Sequence, residues 1–185
     1  MTKILTHTIS HDIVKKLDDL VGSRAFYERL RSVLRNHFHY WLQRGSLEVE
    51  GGDLTEAESC LQNAAALQPN NQLLATELAY LEMSRACNNP AGIESESRFL
   101  TAFQILEDQV ARRRDAHPLH ILGNQGLAWA DRFHTEPLAK TVFLRRLDRV
   151  VSNAKQKHPF SPDVSALANR VKEALLLAST TGPSP

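Results

Sequence analysis

The stretch that decides the fold is Phe38–Asn71, FHYWLQRGSLEVEGGDLTEAESCLQNAAALQPNN. Apolar or small residues recur at Phe38, Trp41, Leu42, Gly45 and Val49, then at Leu54, Ala57, Leu61, Ala64 and Ala65. Spacings of three and four place each set on one face of a helix. Gly51-Gly52-Asp53 interrupts the two runs, and Pro69-Asn70-Asn71 closes the second. The stretch reads as two short antiparallel helices joined by a turn. Helix axes approach to about 8–10 Å only where the side chains at the crossing are small. Gly45, Ala57 and Ala64 therefore mark where a neighbouring helix lies. A single hairpin cannot bury its own apolar face, so the rest of the chain must supply neighbours.

Upstream, residues 1–10 read as a loose lead-in, and Ser10 can cap a short helix, HDIVKKLDDLV, that Gly22 stops. Ser23 then caps a helix whose face is Phe26, Leu30, Val33, Leu34, Phe38 and Trp41. No Gly or Pro interrupts that stripe, so this helix is expected to run, straight or slightly bent, into the one at Phe38. Downstream, QLLATELAYLEMSRACNNP forms another helix, and a partner spans about Glu94 to Arg114 with Phe99, Leu100, Phe103, Ile105, Leu106 and Val110 apolar. Ala116-His117-Pro118 breaks the chain. ILGNQGLAWADRF follows, with Gly126 at its crossing, and pairs with EPLAKTVFLRRLDRVVSNAKQKH, in which Ala139 and Phe143 stand four apart as an Ala-x-x-x-Phe pair. Pro159 ends that helix, and Ser161-Pro162-Asp163 starts the last one, with Val164, Leu167, Ala168, Val171, Ala174, Leu175 and Ala178 as its face.

Laid over a 34-residue helix–turn–helix unit, the central stretch resembles the tetratricopeptide repeat (TPR) family. Trp41, Gly45, Gly52-Asp53, Ala57, Leu61, Ala64 and Pro69 fall at its signature positions. Leu78-Ala79 keeps the register into a second unit, and Gly126 with Trp129 matches the Gly-x-x-Tyr part of a third. The chain departs at Arg44 and Glu48, where Leu and Tyr are usual, which bears on packing against the preceding helix. The resemblance implies an all-α, right-handed stack of about three hairpins over residues 11–178, with repeats at 38–71, 72–114 and 119–158, a flanking N-terminal helix, a capping helix at 162–178 and a disordered tail at 179–185.

TPR domains hold protein or peptide partners on the concave face lined by the first helix of each unit. Carried over, those positions are His39, Leu42, Ser46, Val49 and Glu50, then Thr76, Tyr80, Met83 and Ser84, then His120, Leu127 and Asp131. The Lys, Asn and Arg that clamp acidic chaperone tails are missing there, so no carboxylate clamp is expected. Leu42, Val49 and Met83 can equally be core, as apolar stripes usually are. Together with LLATELAYLEMSRA and ILGNQGLAWA, the stretch is also similar to the helical-repeat C-terminal regions of bacterial STAND-type signalling proteins, in which an NTPase oligomerises and the repeats sense a ligand. That likeness implies the sensor part or adaptor of a signalling or defence system, with an NTPase on the same or another chain.

Composition narrows the remaining classes. A net charge of +1 argues against general nucleic-acid or membrane-surface binding. The alternative is an RNA- or DNA-binding helical protein that uses Arg112-Arg113-Arg114 and Arg145-Arg146. No apolar run reaches about 18 residues, and the N-terminus lacks a signal-peptide core. Cys60 and Cys87 read as reduced thiols of a cytoplasmic protein. No phosphate-cradling loop is present, and His117 and His120 lack further ligands at metal spacing. No catalytic residue, metal or cofactor is expected, and the chain reads as a non-enzyme.

Overall fold

A computed structural model describes residues 20–89, 93–112, 116–131 and 136–180. Among them all regular structure is helical: α1 (Leu20–Leu34), α2 (Phe38–Glu50), α3 (Leu54–Leu67), α4 (Gln72–Asn88), α5 (Ile93–Arg112), α6 (His117–Ala130), α7 (Pro137–Lys157) and α8 (Pro162–Thr180). The lead-in and most of the helix expected over 11–21 lie outside the described residues, as do residues 181–185 of the tail. No helix among the described residues is long and apolar enough to cross a membrane. The chain divides into two compact units, Met1–Leu81 and Glu82–Pro185, and the division falls within α4.

In the first unit α2 and α3 form the expected hairpin, and its turn is built locally. Gly52 takes φ +80, a left-handed conformation that glycine adopts without steric cost. The Asp53 carboxylate accepts the Glu56 N–H at 3.1 Å, which caps α3. At the crossing, a Cβ on Gly45 would lie 2.7 Å from Leu61 Cδ2 and 3.5 Å from the Ala57 carbonyl oxygen, so no side chain fits without moving Leu61. Ala57, Leu61 and Ala64 are fully buried there, and burial of a leucine side chain contributes about 2 kcal/mol.

Two expectations about α1 are overturned. Gly22 and Ser23 do not stop one helix and start another; both lie inside α1, where Ser23 is buried. Nor does this helix run on into α2. It ends at Leu34, and the chain reverses through Arg35-Asn36-His37. The reversal has no Gly or Pro to mark it because tertiary groups hold it. His37 N–H donates to the Leu34 carbonyl at 2.8 Å, and the Trp41 indole N–H donates to the Arg35 carbonyl at 2.7 Å. The Tyr40 hydroxyl donates to the Tyr27 carbonyl at 3.0 Å, drawing α1 antiparallel to α2.

In the second unit α5 starts at Ile93 and sorts its apolar residues between two faces. Phe99, Phe103, Leu106 and Val110 are buried, whereas Leu100 is half-buried and Ile105 exposed. Phe99 stacks on Trp129 of α6 with centroids 4.3 Å apart, and Phe143 of α7 meets Phe99 and Phe103 edge-on. Ala116-His117-Pro118 does not stand before α6. His117 opens the helix and Pro118 lies in its first turn, where the missing N–H has no partner to lose. Gly126 lies at a close approach to α7, where a Cβ would sit 3.0 Å from Leu147. Gly123 makes a second close approach, where a Cβ would lie 2.6 Å from Leu167 Cδ2 of α8. Lys157 at the end of α7 donates to the Ala111 carbonyl at 2.7 Å, satisfying the last turn of α5.

The α8 helix starts where Ser161-Pro162 predicts. The Ser161 hydroxyl accepts the Val164 N–H at 3.3 Å. Val164, Leu167, Ala168, Val171 and Ala178 are buried, and α8 runs antiparallel to α7, with the Thr141 hydroxyl 3.4 Å from the Ala178 carbonyl. The helix continues through Thr180, two residues into the tail expected to be disordered.

Candidate functional site

The residues expected to line a groove separate by burial. In the first unit Leu42, Ser46, Val49 and Thr76 are buried, His39 and Glu50 are exposed, and Tyr80 is half-buried against the apolar core. In the second, Met83 and Ser84 are buried, His120 and Leu127 are half-buried, and Asp131 is exposed and paired with Lys140 at 3.3 Å. For Leu42, Val49 and Met83 the burial is that of core residues, the alternative the sequence left open. The side chains with accessible surface are His39, Glu50 and Tyr80 in one unit and His120, Leu127 and Asp131 in the other.

The two departures from the repeat signature turn out to be the charged joint between α1 and α2. Arg44 is buried at 7% exposure and Glu48 at 2%. Arg44 Nη2 lies 2.5 Å from Glu28 Oε1 and 2.8 Å from Glu56 Oε1, and its Nη1 donates to the Tyr40 hydroxyl at 3.3 Å. Glu48 accepts from Arg24, whose Nε is 2.8 Å from Oε2. Leu and Tyr at these positions would pack on a preceding helix through apolar contact; here α1 is held by ion pairs. Burial works against the Arg44 charge, but the Tyr40 hydroxyl and Glu28 outweigh it, and the guanidinium pKa is raised. Burial likewise raises the Tyr27 and Tyr40 hydroxyls.

Cys60 sits beside this joint, fully buried, its Sγ 3.7 Å from Glu56 Oε1. Burial, with the charges of Glu56 and Glu48, pushes its thiol up to about 12 against the pull of Arg44. At neutral pH it is a protonated thiol, the unreactive form. Cys87 is also buried, its Sγ 3.8 Å from the Gln125 carbonyl oxygen.

The arginine clusters are partly spent. Arg146 donates to Glu107 Oε2 and Gln104 Oε1, each at 2.6 Å, and its guanidinium lies 4.8 Å from the Phe103 ring centroid. Arg113 and Arg114 lie outside the described residues, while Arg112 and Arg145 are exposed. Among the described residues no three His, Cys, Asp or Glu side chains are grouped to hold a metal ion.

What a reading of periodicity missed was the charged joint. The signal was present, since two charged residues, four apart, stood at signature positions that are otherwise apolar. Comparison with known proteins yields no match to a family model, to a curated protein or to a solved structure.

Proposed function

We propose that this chain is a protein- or peptide-binding helical-repeat module of the TPR type, acting in the cytoplasm as the sensor part or adaptor of a bacterial signalling or defence system. The observation that carries this reading is the α2/α3 hairpin, in which Gly45 meets Leu61 and Ala57 at the spacing the repeat signature requires and Gly52 makes the turn. The protonated, buried state of Cys60 also weighs against nucleophilic chemistry at that position.

Recognition on this reading belongs to the accessible members of the expected groove, with His39, Glu50 and Tyr80 the set in the first unit. Replacing His39 and Tyr80 by Glu in the whole chain should abolish recovery of a specific protein from a bacterial lysate while helical circular dichroism is unchanged. Recovery of the same protein by the variant would overturn the assignment. A recovered NTPase would favour the sensor arm, and a recovered protein of another kind the adaptor arm.

A further inference from the structure

The first unit carries a feature that the groove reading does not use. The C-terminal half of α1, Trp41 of α2 and Asn63 of α3 border an open cleft of about 490 Å3, lined by Glu28, Arg31, Ser32, Arg35, Trp41 and Asn63. Small-ligand sites occupy about 300–1,000 Å3, so the cleft is of a size for a small molecule or a single side chain.

Its charge is arranged for an anion. Arg31 lies in the last turn of α1 and Arg35 directly after it, its N–H donating to the Arg31 carbonyl at 3.0 Å, and both side chains are exposed. The Arg35 guanidinium and the Ser32 hydroxyl have no partner among the described residues. Glu28 is the lone carboxylate among the lining residues, and its Oε1 is committed to Arg44 at 2.5 Å. Its Oε2 forms a long ion pair with Arg31 at 3.7 Å, beyond hydrogen-bonding distance, so the Arg31 N–H groups can still donate to a ligand. The Trp41 ring is held in place by its N–H bond to the Arg35 carbonyl, and Arg31 lies 5.9 Å from its centroid.

We propose that this cleft binds a phosphate monoester, with Arg31 and Arg35 on the phosphate, Ser32 as a further donor and Trp41 against the ester group. Each guanidinium is a planar fork that can engage two oxygens. A carboxylate, with two oxygens, satisfies one such fork; the three terminal oxygens of a phosphate monoester can occupy two. A free phosphorylated metabolite and a phosphorylated side chain present the same group.

Calorimetric titration of the unsubstituted full chain with phenyl phosphate, and separately with a capped Gly-phosphotyrosine-Gly peptide, tests this. Saturable binding is expected at low salt and should weaken as salt rises. Arg35→Gln and Arg31→Gln, both at exposed positions, should each weaken it by about tenfold or more with helicity unchanged. Equal or tighter binding of phenyl phosphate assigns a metabolite, and binding of the peptide about tenfold tighter or more assigns a phosphorylated side chain. Failure of both probes to bind, or unchanged affinity in Arg35→Gln, overturns the proposal. The groove reading stands or falls separately, because His39 and Tyr80 do not line this cleft.

Discussion

The first unit holds a helix with charge where the second uses aromatic rings. In both, glycine lets a helix approach a leucine: Gly45 meets Leu61, while Gly126 meets Leu147 and Gly123 meets Leu167. The difference lies in what fills the remaining joints. α1 is fastened to α2 and α3 through Arg24–Glu48 and Glu28–Arg44–Glu56, whereas α5, α6 and α7 meet through Phe99, Trp129, Phe103 and Phe143. Apolar burial adds stability in rough proportion to area and tolerates repacking. A buried ion pair adds little net stability, yet loses much when one partner is removed. The same architecture therefore has two kinds of fragility.

The largest expected effect is in the aromatic joint. Phe99→Ala removes a ring at 0% exposure that is stacked on Trp129, and should cost about 3–5 kcal/mol in denaturant unfolding, with faster amide exchange in α6 and α7. A loss below about 1 kcal/mol would mean the site collapses freely and the comparison fails.

Next comes the charged joint. Arg44→Ala strands Glu28 and Glu56 and should cost about 2 kcal/mol, less than the 3–5 typical of wholly buried pairs, because their side chains are 49% and 40% exposed and water can recover them. Arg44→Leu combined with Glu48→Tyr, which installs the usual repeat residues, should return stability to within about 1 kcal/mol of the native chain. Equal losses in the single and double variants would show that α1 requires charge and cannot be held by apolar contact.

The remaining effect is confined to alkaline pH and leaves stability at neutral pH untouched. The Cys60 thiol is raised from 9.0 to about 12 in the folded chain, so the unfolded chain loses that proton first as pH rises. Its contribution is therefore complete below pH 9 and is lost between 9 and 12, at about 1.4 kcal/mol per pH unit. Cys60→Ala should flatten that part of the profile, and an unchanged slope would locate the titration elsewhere.

The sequence by itself determined what depends on near neighbours along the chain. The α2/α3 hairpin, its turn at Gly52-Asp53, the small residues at the crossing and the Ser161 start of α8 were legible because period, turn residues and helix starts are local properties. Tertiary structure alone decided the rest. The reversal at Arg35-Asn36-His37 carries no breaker; the Trp41 indole N–H bonds the Arg35 carbonyl there, and the Tyr40 hydroxyl ties α2 back to the Tyr27 carbonyl of α1. The periodic stripe of α5 did not say which apolar residues would be covered, so Ile105 stayed open while Phe99 and Phe103 were buried. Which residue of α7 Gly126 meets, Leu147, depends on how the two helices pack, and spacing within one helix cannot report it. Burial of Leu42, Ser46, Val49, Thr76, Met83 and Ser84 likewise emptied much of the expected groove. A residue's position in the apolar period fixes which face of its helix it occupies; the partners that come to lie on that face fix whether it is core, joint or surface.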